Sequence, residues 1–169
     1  MAAGRKFDYP SLLAPGGHHV TLRQIYRIAV ESFAPDSAHR ERLFHQLEEF
    51  VQATLRSGIP GDLSIDGSFL TKKPVPSDVD VVFTIDLEVS EAMTEEQQAF
   101  FTSINQDIYV ERVDSFGVVR YPRGHKFFRT TLDAGNMPSH FGVENSEEWL
   151  KGYCVLMVRE TNVGRRIRC

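Results

Sequence analysis

Ahead of Gly58 the apolar residues of this chain recur every three or four positions, whereas just beyond Pro60 they alternate with polar ones. A chain patterned in that way buries helix faces first and sheet faces afterwards. Thr21 and Gln24 form a capping-box pattern that opens a first helix. Leu22, Ile25, Ala29 and Phe33 follow at helical spacing, and Pro35 ends the run. A second helix, from Asp36 or Ser37 to Ser57, carries Leu43, Leu47, Phe50, Val51, Thr54 and Leu55 along one side. Gly58 stands where a left-handed cap is expected, with Pro60 just after it. The polar side of that helix (Arg40, Glu41, Arg42, Glu48, Glu49, Arg56) reads as a solvated face.

Leu63 and Ile65 suggest a short strand, broken at Gly67-Ser68. Val79, Val81, Phe83 and Ile85 alternate along a second strand. Residues 91–107 favour a helix with Ala92, Ala99, Phe100 and Ile104 inward. A third strand covers about Tyr109–Tyr121, interrupted by Gly117, and Tyr153–Val158 makes a last apolar strand or buried turn. Residues 124–150 are loop-rich. The expected fold class is α+β, a small mixed β-sheet flanked by helices. Residues 1–20 read as an irregular lead-in, 21–58 as helices packed on the core, 59–160 as the core, and 161–169 as a basic tail.

Length and composition narrow the class. At 169 residues the chain is about one domain. Hydrophobic residues at 41% and charged residues at 25% are ordinary for a globular protein, which argues against disorder. No apolar run reaches the ~18–20 residues of a spanning helix, so no membrane partner is expected. The net charge of −4 speaks against bulk coating of nucleic acid but leaves room for a local basic channel. With only Cys154 and Cys169, and no apolar core of a secretory signal in MAAGRKFDYP, the expected compartment is the cytoplasm.

The segment from Ile65 to Ile85 carries the chemistry. One strand delivers the chain to Gly67-Ser68, and the next opens on Asp78-Val79-Asp80. Positions i and i+2 of a strand share a face at about 7 Å, so these two carboxylates can converge on one hard cation. Mg²⁺ takes one or two carboxylates and completes its shell with phosphates and water. Gly67 allows close backbone approach, Ser68 can donate to phosphate oxygens, and Lys72 and Lys73 attract a polyphosphate. Asp78 alone could be a turn former, but Asp80 interrupts an otherwise apolar run and requires a cation or an arginine opposite it.

Gly-Ser, this spacer and Asp-x-Asp resemble the signature of the DNA-polymerase-beta-like nucleotidyltransferases. The wider pattern resembles one family of uncharacterised prokaryotic nucleotidyltransferase-like proteins: Leu13-x-Pro15-Gly16, Thr21, the block from Asp66-Gly67-Ser68-Phe69 through Asp78-x-Asp80-Val81-Val82, Phe141-Gly142 and Lys151-Gly152. The resemblance implies a polymerase-beta palm core and a third acid on a following strand. Asp114 is the choice, Glu111 the fallback on the opposite face of that strand, and Asp107 is assigned to the end of the preceding helix. It further implies that Asp78, Asp80 and Asp114 hold two Mg²⁺ (or Mn²⁺) ions about 3.5–4 Å apart. A hydroxyl of RNA, protein or a small molecule would attack the alpha phosphate of a nucleoside triphosphate and expel pyrophosphate, with Asp114 able to take the proton. Small stand-alone relatives of that kind often belong to toxin–antitoxin or phage-defence systems.

Other polar residues have plainer readings. His18-His19 belongs to a solvated loop, and Trp149 to packing. His125 could approach a phosphate, and Arg120, Arg123, Lys126 and Arg129 could line a groove or simply form a basic edge. Lys151 matches a family position without a known role and otherwise marks a turn into a strand. The competing functional reading is a binding module on the same fold that holds nucleotide or a partner protein without turnover. A weaker third reading makes the domain part of a larger complex, docked through its N-terminal helices.

Overall fold

The computed structural model of the chain describes residues 9–106, 109–128 and 150–159, with Gly164 and Arg166. Its elements run β1 (Gly16–His19), α1 (Leu22–Ala29), α2 (Ala38–Ser57), β2 (Asp62–Asp66), β3 (Val79–Asp86), α3 (Leu87–Glu91), α4 (Glu95–Gln106), β4 (Val113–Arg120) and β5 (Gly152–Met157). The strands form one mixed sheet in the order β1-β5-β2-β3-β4. β2 is antiparallel to both β3 and β5, while β1 lies parallel to β5 and β4 parallel to β3. α3 and α4 carry the chain across to make that last parallel pair. The fold is α+β, as expected.

α1 starts at the Thr21–Gln24 capping box, with both reciprocal bonds formed. It ends at Ala29, and the run to Phe33 continues as a 3-10 turn. α2 ends at Gly58 in the left-handed conformation. One apolar cluster joins Leu22, Ile25, Phe44, Leu47 and Phe50 of the first two helices and Ile104 of α4 to Leu63, Ile65, Val79, Val81, Phe83, Cys154 and Leu156 of the strands. Alternation therefore assigns one sheet face to the helices. Asp66, Asp80 and Asp114 fall on the opposite face.

Several expectations need correction. The lead-in holds β1, because Gly16–His19 finds partners on β5 far along the chain. Arg40 is 0% exposed and Glu48 is buried, so that face of α2 is not simply solvated. The helix expected over 91–107 begins only at Glu95, as α4, with Thr94 and Gln97 making a second capping box, and the short α3 ends at Glu91. Ala92 and Ala99 are exposed; Phe100, Phe101 and Ile104 face inward. Gly117 does not interrupt β4. A Cβ there would come within 2.8 Å of Phe101 and of Asn105, so the glycine lets α4 lie close on the strand. Asp107, Arg129, Phe141-Gly142, Trp149 and Cys169 lie outside the described residues. Cys154 is a free thiol, pushed up to about 12 by burial with Asp66 nearby, which removes it as a nucleophile at neutral pH. No helix among the described residues is long and apolar enough to cross a membrane.

Candidate active site

The strand registers place three carboxylates in one row. Asp66 ends β2 and pairs with Asp80 on β3, and Asp80 pairs with Asp114 on β4. Asp78 precedes β3 by one residue, two positions from Asp80, and so presents to the same side. Of the acids expected from the sequence, Asp78 and Asp114 lie near enough to Asp80 to raise its pKa. Glu111 does not: it sits in the turn before β4, exposed, with its carboxylate 3.6 Å from Arg112.

Gly67 explains how the turn and the acids fit. Its φ of 80° belongs to the left-handed region, and a Cβ there would overlap the Asp80 carboxylate. The carboxylate rests directly on the backbone at the start of the Ser68–Leu70 turn. Gly67→Ala is therefore expected to cost on the order of 1–3 kcal/mol in backbone strain alone, with displacement of Asp80 adding to it. Thermal unfolding measures this; an unchanged midpoint contradicts the packing. Ser68 Oγ is buried with no hydrogen-bond partner among the described residues, a polar atom that lacks its complement.

Charge follows from the same geometry. The Asp80 carboxyl is pushed up to about 6, first by burial and then by Asp78, Asp66 and Asp114, with Lys151 opposing. Among the described residues no arginine pairs with Asp78, Asp80 or Asp114. Nor do any three His, Cys, Asp or Glu side chains among those residues already stand gathered for a metal.

Two participants escaped the sequence reading. Asp66, only 2% exposed, adds a fourth acid, and Lys151 Nζ lies 3.0 Å from its Oδ2. The alternation of β2 was a usable signal for Asp66, since it puts Asp66 on the face opposite Ile65. For Lys151 there was only a family resemblance. Lys72 and Lys73 occupy the loop between Gly67 and Asp78; Lys72 is exposed, and neither figures among the charges that act on Asp80.

That loop hangs from α2. Arg40 donates to the carbonyls of Ala29, Phe69, Thr71 and Lys73 at 2.7–3.0 Å, and its guanidinium stacks 3.6 Å above Phe33. His39 Nε2 lies 2.6 Å from the Pro76 carbonyl. Both residues position the segment that delivers Asp78.

Arg120, the last residue of β4, and His125 beyond it belong elsewhere. Arg120 pairs with Asp86 and Asp62 at the far end of β3, where its hydrogen bond holds the Asp86 carboxyl below the usual carboxylate range. His125 stacks on Tyr121 at 4.8 Å. Neither joins the acidic row. No curated protein and no solved structure matches the chain. Residues 5–156, from ahead of β1 through the acidic row into β5, match a family of unknown function, DUF6932, and the chain belongs to that family.

Proposed function

We propose that this protein is a nucleotidyltransferase dependent on Mg²⁺ or Mn²⁺, working in the cytoplasm. It moves a nucleoside monophosphate from a nucleoside triphosphate to a hydroxyl of RNA, protein or a small molecule. The observation that carries this reading is the in-register Asp80–Asp114 pair, with the Asp80 carboxylate seated on Gly67. The donor set fits a hard divalent cation. Four acids share one end of the sheet, Asp80 is held at about 6 by burial and its acidic neighbours, and Ser68 Oγ awaits a partner. Asp78, Asp80 and Asp114 would hold the metal, which when bound lowers the pKa of the attacking hydroxyl and offsets charge on the phosphates. Asp114, exposed at the row's outer strand, is placed to accept the hydroxyl proton. Asp80 fills the space that a side chain at position 67 would take, and Ser68 at the turn beside it would donate to a phosphate oxygen. A toxin–antitoxin or phage-defence setting agrees with the resemblance that led to this reading.

The second reading is a module on the same fold that binds nucleotide or a partner protein without turnover. Incubation with each α-labelled nucleoside triphosphate, Mg²⁺ or Mn²⁺ and a cell extract separates the two. A labelled product that vanishes in Asp80→Ala is the expected result. Triphosphate binding without any label, unchanged in Asp80→Ala, establishes the binding module instead.

A further inference from the structure

We propose that Lys151, and neither Lys72 nor Lys73, is the lysine that meets the triphosphate of the nucleotide. This rests on the functional reading above. Lys151 directly precedes β5, and β5 runs antiparallel to β2, so the start of one lies beside the end of the other. The Lys151 ammonium thereby reaches Asp66 Oδ2 at 3.0 Å, and Asp66 stands in register with Asp80. One strand end thus adds a cation to a row otherwise made of acids.

The pair is poorly explained as a stabilising device. The side chains of Lys151 and Asp66 are 15% and 3% exposed. Desolvating two charges to that extent offsets most of their attraction, and an apolar pair of similar volume would serve stability as well. An ammonium has three donors, of which Asp66 occupies one, and the others can point to acceptors such as phosphate oxygens. Asp66 then anchors the ammonium instead of serving as a metal ligand. Lys72 lies exposed, and of the lysines only Lys151 figures among the charges that act on Asp80.

The test is isothermal titration with ATP, GTP, CTP and UTP in Ca²⁺, on the wild-type chain and on K151Q, K72Q and K73Q. Loss of one charge-assisted contact is expected to weaken triphosphate binding about 10–100-fold in K151Q. K72Q and K73Q are expected to stay within about twofold of the wild type, since neither acts on the acidic row as Lys151 does. Binding of Mn²⁺ alone is expected to remain in K151Q, because the acids are intact. Should K151Q fail to fold, the double variant D66N/K151Q removes both charges, leaves neither buried alone, and is expected to show the same loss. Wild-type affinity in K151Q or in the double variant overturns the proposal, as does an equal loss in K72Q or K73Q. If the wild-type chain binds none of the four triphosphates, the functional reading itself fails, and this inference with it.

Discussion

Asp80→Asn is expected to make the metal-free protein more stable and, on the function proposed above, to abolish nucleotide transfer. The folded chain holds the Asp80 carboxyl at about 6 against an ordinary 3.8, through burial and the acids around it. Between those two values the folded state keeps a proton that the unfolded chain has lost. The contribution of that proton is fully present below about pH 4, declines as the pH rises, and is gone above about 6. At neutral pH the ionised carboxylate therefore stands against folding by an amount on the order of 2–3 kcal/mol. Asparagine has nearly the same shape and no charge, so its variant is expected to melt roughly 5–10 °C higher at pH 7.5 in a chelator. The difference is expected to shrink toward zero at pH 4. Added Mn²⁺ is expected to raise the wild-type midpoint and leave that of Asp80→Asn nearly unchanged. Melting curves of both chains across pH decide this. Equal midpoints at pH 7.5, or a less stable variant, contradict the proposed electrostatics of the row. A site that is destabilised without its ligand is a common accompaniment of function.

Arg40→Met is expected to destabilise the protein by about 3–5 kcal/mol, since each buried acceptor left unsatisfied costs about 1–3 kcal/mol and several lose their donor together. The guanidinium satisfies four backbone carbonyls drawn from the end of α1, the turn after Gly67 and the loop beyond it. Methionine fills the space and leaves those four acceptors without their donor. Arg40→Lys is expected to recover little, because a point-like ammonium cannot reproduce the planar fork or the stack on Phe33. A midpoint drop of roughly 10–15 °C for Arg40→Met is the expected outcome by thermal denaturation. A change of less than about 1 kcal/mol would show that the loop does not depend on this anchor. The same loop delivers Asp78, so a variant that still folds is also expected to bind divalent cations more weakly.

The parts of this protein readable from sequence are those specified locally. Thr21 with Gln24, and Gly58 after Ser57, announce helix ends through chemistry that neighbours alone complete. The alternation of Val79, Val81, Phe83 and Ile85 identifies a strand and fixes which side Asp80 takes. Asp114 was reached only through the family resemblance, which implies a third acid on a following strand. The remainder depends on pairing between distant segments. Gly16–His19 has no strand pattern of its own and becomes one through β5. Arg40 looks like any cation on the outer side of a helix until Phe33 and the Thr71–Lys73 carbonyls close over it. Asp66 was in plain view beside Gly67, but the register that sets it against Asp80 is made by the sheet. Lys151 reaches Asp66 only because β5 inserts between β1 and β2.

The most direct measurement is anomalous diffraction from crystals soaked with a nucleoside triphosphate and Mn²⁺. The expected result is manganese signal between the Asp78, Asp80 and Asp114 carboxylates, with the phosphate chain beside Gly67 and Ser68. A nucleotide bound elsewhere, or manganese absent from that end of the sheet while those carboxylates stay apart, would contradict the assignment of the acidic row as a catalytic metal site.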